Sequence, residues 1–177
     1  MNFLDQFRYT FDNLSELSIT KNQDTETKTS YNNPQLKSLL STSVKVTPEI
    51  FPKVAETIDQ VFERLKLKNN FNFFITANHL QTQALCAMMP QSSNAEIIIT
   101  SKMIDLLNGE ELQSVIGHEV SHFYYQHSLY PSPNQARTKT EFLNLLHLSR
   151  AAEISADRAG FLGSGSLEYS LRSMLKI

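Results

Sequence analysis

Apolar residues recur at helical spacing in some stretches of the chain and in short unbroken runs in others. Near the start, Phe3, Leu4, Phe7, Phe11, Leu14 and Leu17 fall on one stripe, so residues 2–18 predict a short amphipathic helix. Residues 20–34, TKNQDTETKTSYNNP, carry no apolar period and predict a polar linker. A helix over 48–66 turns Val54, Ile58, Val61, Phe62 and Leu65 inward, and Pro52 moves its start to about Phe51. Three strand-like runs follow at 72–76, 84–89 and 95–100. Turn residues Pro90 to Asn94 join the last two as a hairpin, which predicts a small, mostly antiparallel sheet.

The remainder reads as helix. Asn108 with Glu111 forms a capping box ahead of Leu112, Ile116, Val120 and Phe123, and Pro131 and Pro133 end that run. A second box, Thr138 with Glu141, opens a helix over 139–162 that ends before Gly163, with Phe142, Leu145, Leu146, Ala152 and Ala156 as its apolar stripe. A last helix, capped by Ser166, carries Leu167, Leu171, Met174 and Leu175 in phase. The expected class is α+β, with an appendage over 1–34 and one domain over 35–177. A length of 177 residues at 41% hydrophobic suits a single core of that size.

Charge and cysteine content narrow the classes. A net charge of −2 gives no electrostatic reason to expect nucleic acid or an anionic membrane as partner. One cysteine allows no internal disulfide and suits a reducing compartment. The start, MNFLDQFRYTF, lacks the basic and apolar regions of a signal peptide, and no stretch has the ~20 apolar residues of a transmembrane helix. The expected setting is soluble and cytoplasmic.

Candidate chemistry sits on the two capped helices. His118-Glu119-Val120-Ser121-His122 is an H-E-x-x-H pattern. Histidines four apart on a helix share a face and can reach one metal ion, while Glu119 points to the neighbouring flank, where it can hold a metal-bound water. The next long helix carries Glu153 and, one turn on, Asp157; they share a face, so one carboxylate can ligate while the other stands behind it. Gly117 and Ser121 on one helix, and Ala151, Ala152, Ser155, Ala156, Ala159 and Gly160 on the other, are small enough for close approach. Two histidines and a glutamate, with water in the fourth place, form a catalytic type of zinc set. Cys86, alone in an apolar strand, reads as a small buried hydrophobe. His127 and His147 point off the ligand faces and read as structural, and Arg158 reads as an ion-pair residue beside Asp157. Candidates to steady an oxyanion are His79, Tyr169 and Arg172.

HEVSH followed by Glu153-x-x-x-Asp157 resembles the gluzincin metallopeptidases, specifically the family of the CAAX prenyl protease and the bacterial heat-shock membrane protease. The likeness runs over roughly residues 35–165: helix 48–66, the strand FNFFIT, QALCA where the family has Asn-Ala-Phe-Ala, the strand EIIIT, and LLNGEEL leading into the motif. Gln83 stands where the family has asparagine, and family members usually run on beyond the equivalent of this chain's end. The resemblance implies a zincin-like fold with the motif on a central helix. It implies that His118, His122 and Glu153 hold Zn²⁺, that Glu119 is the base, and that Asp157 orients a ligand histidine. It also implies that Ala84, Leu85, Cys86 and Ala87 form the substrate-binding rim. The function implied is a zinc-dependent endopeptidase hydrolysing peptides or unfolded proteins by a zinc-activated water. The alternatives are a zinc-binding but silent or latent domain serving as a scaffold, and a metal-free helical interaction module. Every one of these groups lies outside residues 1–34, so that stretch is expected to pack on the domain without a part in the chemistry.

Overall fold

Helix α1 (Pro34–Ser41) and strand β1 (Ser43–Lys45) precede α2 (Pro52–Leu65), β2 (Phe71–Thr76), β3 (Ala84–Met88) and β4 (Ala95–Thr100). Then come α3 (Ser101–Leu106), α4 (Gly109–Tyr124), α5 (Lys139–Ser164) and α6 (Leu167–Lys176). The computed structural model describes residues 3–14, 34–68, 70–77, 80–88 and 95–177. Residues 20–33 of the expected linker, the turn at 90–94 and His79 lie outside the described residues.

The architecture is α+β, and the four strands form one mixed sheet in the order β1-β2-β4-β3. β3 pairs antiparallel with β4, as the hairpin reading expects; β1, which was not expected, pairs antiparallel with β2, and β2 and β4 run parallel. β4 therefore has a neighbour on each side, and all six of its residues are buried. That position explains why its centre reads as the unbroken run Ile97-Ile98-Ile99 instead of an alternation. Phe71, Phe73, Ile75, Ile97 and Ile99 face the main core, where Ile58, Val61, Phe62 and Leu65 of α2 meet them. Ile98 and Ala87 face the other way, against Leu39 and Leu40 of α1. β3 is left at the sheet's edge, beside α4.

Three expectations are corrected. Over residues 3–14 the expected helix does not form: Phe3–Gln6 makes one 3-10 turn and residues 7–13 are non-helical, while residues 2 and 15–18 of that expectation lie outside the described residues. Tertiary partners take the backbone groups that a helix would have paired internally. The Tyr125 hydroxyl donates to the Leu4 carbonyl at 2.8 Å, and the Tyr9 N–H donates to Ser155 Oγ at 2.9 Å. Arg158, rather than pairing with Asp157, lies over the Tyr9 ring at 5.0 Å and donates to the Phe7 carbonyl. Leu4 is buried, and Phe11 of the expected stripe is exposed.

The second correction concerns α5. It runs through Gly163 and stops at Gly165, whose φ of +67° is the left-handed turn that suits glycine. Its buried stripe is Leu145, Leu148, Ala152, Ala156 and Ala159, with Phe142 and Leu146 partly exposed. Third, α6 turns Ser170 and Ser173 inward and leaves Leu167, Leu171 and Leu175 exposed. Small side chains decide both cases, because α4 accepts only close neighbours. Ser114 Oγ and Ser170 Oγ are 2.9 Å apart.

The contact of α4 with α5 is the tightest of these. A Cβ on Gly160 would stand 2.7 Å from the Ser114 carbonyl oxygen, and one on Gly117 would stand 2.8 Å from that of Ala159. Both obstacles are backbone, so a methyl can be accommodated only by parting the helices. Gly160→Ala is expected to destabilise the fold by about 1–3 kcal/mol, the usual cost of overpacking, read as a lower thermal midpoint. An unchanged midpoint would mean that the helices part without cost.

Candidate metal centre

The helix α4 begins where the capping signals place it. Asn108 Oδ1 accepts from the Glu111 N–H at 2.8 Å, and Glu111 Oε2 accepts from the Asn108 N–H at 2.9 Å. α5 begins with Thr138 Oγ1 accepting from the Glu141 N–H at 3.1 Å. These starts, and the close packing of the two helices, bring the expected residues together. His118 and His122 stand one turn apart with their Nε2 atoms 3.1 Å from each other. From α5, Glu153 places Oε2 at 3.4 Å from His118 Nε2 and Oε1 at 3.9 Å from His122 Nε2. One donor atom from each of the three lies within 4.8 Å of the others, a spacing that could hold a metal ion.

The outer nitrogens are occupied too. His118 Nδ1 is 3.0 Å from Asp157 Oδ1, and His122 Nδ1 is 2.7 Å from His127 Nδ1. With both Nδ1 atoms engaged elsewhere, both Nε2 atoms are turned toward Glu153. A zinc ion fits this donor set: two imidazole nitrogens and a carboxylate converge, and each imidazole is held from behind.

Electrostatics agree with the geometry. Burial disfavours a charged His118, but hydrogen bonds to Asp157 and Glu153 outweigh it and raise its pKa to about 10. Burial and the neighbouring His118 charge lower that of His122. Glu153 is lowered, chiefly by its hydrogen bond to His118. A cation held by this group would compete with a proton for His118, so metal uptake is expected to be coupled to proton release.

Glu119 stands beside the trio but is not part of it. Its carboxylate accepts a backbone hydrogen bond from Cys86, and burial raises its pKa. Ala84, Leu85 and Cys86 line a cavity of about 470 Å³ together with His118, Glu119, His122 and Glu153. A second cavity of about 260 Å³ shares Ala84, His118 and Glu119 and continues past Gln83, Asp157 and Met174. A cleft thus passes along the edge of β3 on both sides of Glu119. Ala87 does not line it and packs on Ile98. The Cys86 thiol is pushed up to about 12 by burial and by Glu119, so it stays protonated, as its apolar setting suggests. Tyr169 and Arg172 line neither cavity, and Arg172 pairs with Glu168 on α6.

Sequence reasoning missed His127 and Asp12. A helix continued to Pro131 would turn His127 away from His122. Instead α4 ends at Tyr124, Gln126 takes a left-handed φ of 58°, and the chain doubles back so that His127 reaches His122. The signal was the spacing H-x4-H after the motif, legible only with the helix end in hand. Asp12 carried no local signal at all.

No described helix is long and apolar enough to cross a membrane. No curated protein and no solved structure matches the chain. Residues 48–134 match peptidase family M48, a family of zinc metalloendopeptidases, and the match takes in His118, Glu119 and His122 while Glu153 and Asp157 lie beyond it. By that match, and by the His-His-Glu group that two helices bring together, the region over residues 48–134 belongs to peptidase family M48.

Proposed function

We propose that this chain is a zinc-dependent endopeptidase acting on peptides or unfolded proteins, with His118, His122 and Glu153 as metal ligands and Glu119 as general base. One observation carries the reading: both ligand histidines turn Nε2 toward Glu153 because each Nδ1 is held by another side chain. When bound there, zinc supplies Lewis acidity toward water and a peptide carbonyl. Glu119, beside the trio and partly desolvated, takes a proton from the attacking water and returns it to the leaving amine. Asp157 keeps His118 in the tautomer that presents Nε2.

The edge of β3 is the proposed substrate rim. The Cys86 N–H faces Glu119, so this side of the strand opens on the cleft. Backbone groups two residues apart point the same way in a strand, which gives Ala84 the same outlook. An extended peptide can add there as a further strand, its main chain bonding to Ala84 and its side chains meeting Leu85. A lone buried thiol suits the reducing cytoplasm, where we place the protein.

The test is zinc content and turnover together. The purified chain should carry one zinc and degrade an unfolded, casein-like protein, and a chelator should stop the reaction until zinc is restored. Zinc without turnover would favour the scaffold alternative. A chain that takes up no zinc would overturn both.

A further inference from the structure

We propose that His127 and Asp12 form a buried relay that positions His122 as a metal ligand, making residues 3–14 a working part of the metal centre. The proposal rests on reading His118, His122 and Glu153 as the zinc site. It reverses the expectation that the N-terminal stretch and His127 are merely structural.

The assignment follows from counting protons. An imidazole that offers Nε2 to a metal carries its own proton on Nδ1. His122 Nδ1 lies 2.7 Å from His127 Nδ1, so His127 must accept there and hold its proton on Nε2. That nitrogen is 3.0 Å from Asp12 Oδ2, which accepts it. Each atom along the line has one role, and the line ends on a carboxylate. His118 has the shorter version, with Asp157 directly on Nδ1. For His122 the carboxylate comes from the other end of the chain, and an extra imidazole spans the gap.

Asp12 is built as a fixed anchor. Its side chain has no solvent exposure. Arg8 Nε donates to Oδ2 at 3.1 Å, and the Tyr130 hydroxyl donates to Oδ1 at 2.6 Å. Ser155 on α5 adds a further hydrogen bond, and Arg8 also donates to the Tyr130 oxygen at 2.7 Å. A buried carboxylate with this many donors cannot shift without leaving several of them unpaired. Attachment alone would not need it, because Leu4, Tyr9 and Arg158 already tie the segment down. Burying a charge is costly unless it is fully paired, and this one is aimed through His127 at a ligand.

Zinc affinity is measured on the full chain by chelator competition, alongside the visible spectrum of the cobalt-substituted protein. His127→Phe fills the same space but cannot accept from His122, and it should weaken zinc binding about 10–100-fold and shift the cobalt bands. His127→Gln offers a carbonyl to His122 and an amide N–H to Asp12, so it should recover most of the lost affinity. If His127→Phe lowers the melting temperature but leaves zinc affinity and cobalt spectrum at parental values, the network is only a tether and the proposal fails. Should the variants not fold, nitrogen NMR of the zinc-loaded parent decides. His122 protonated at Nδ1 and His127 at Nε2 support the relay, and any other pattern overturns it. The zinc content of the parent, read first, separates failure of the metal site itself from failure of the relay.

Discussion

Glu119→Gln should retain zinc with near-parental affinity and lose about 10²–10⁴-fold in hydrolysis of an unfolded protein, the range that general-base catalysis supplies. Glu119 sits between the two histidines in sequence, yet its carboxylate is turned to the Cys86 N–H and is not in the His118, His122 and Glu153 group. Burial lifts its pKa, which His118 opposes and Glu153 reinforces. A carboxylate moved up in this way is a better proton acceptor near neutral pH. Glutamine fills the same volume and can still accept from Cys86, but it cannot take a proton. Glu153→Gln should do the reverse. It removes the one negative charge that faces both Nε2 atoms, so zinc itself is lost and hydrolysis with it. Metal content and rate, measured on the two variants side by side, give opposite patterns. Equal zinc loss in both would make Glu119 a ligand, and a parental rate in Glu119→Gln would remove it as the base.

The metal helix was legible because its signals are local. Asn108 and Glu111 cap each other within one turn, and the shared face of His118 and His122 is set by the helical repeat alone. Glu153 was within reach because its small neighbours announced a close helix contact, which Gly117 and Gly160 then make. Strand order was not legible. Nothing in FNFFIT or EIIIT says that β4 inserts between β2 and β3, and only that insertion makes one pair parallel. Apolar phase misled on α6, where the buried positions are serines chosen for size. The stop at Tyr124 also lacked punctuation: the left-handed residue is Gln126, and neither glycine nor proline marks the turn. Asp12 was furthest from view. Its partner His127 lies 115 residues away, and only the finished fold brings them together.

Asp12→Ala is expected to cost about 3–5 kcal/mol of folding stability near neutral pH, as breaking a buried, hydrogen-bonded charge network does, and the cost should shrink in acid. Burial alone would push this carboxyl's pKa up, but hydrogen bonds from His127, Tyr130 and Ser155, and the nearby His127, hold it well below the usual carboxylate range. A folded-state pKa below the unfolded one, about 3.9, means that ionised Asp12 contributes stability that is fully present above the unfolded value. That contribution drains away as pH falls through the depressed folded value, because the unfolded chain takes up the proton first. Urea melts run from pH 7 downward, with chelator present so that zinc release plays no part, should show the parent losing stability faster than Asp12→Ala below about pH 4. The two curves then converge. Asp12→Asn keeps the shape without the titration, so the parent should fall toward this variant in acid as well. A gap between parent and Asp12→Ala that is equally wide at pH 7 and at the lowest pH reached would show that packing of the residue, and not its charge, holds residues 3–14 against the metal helix.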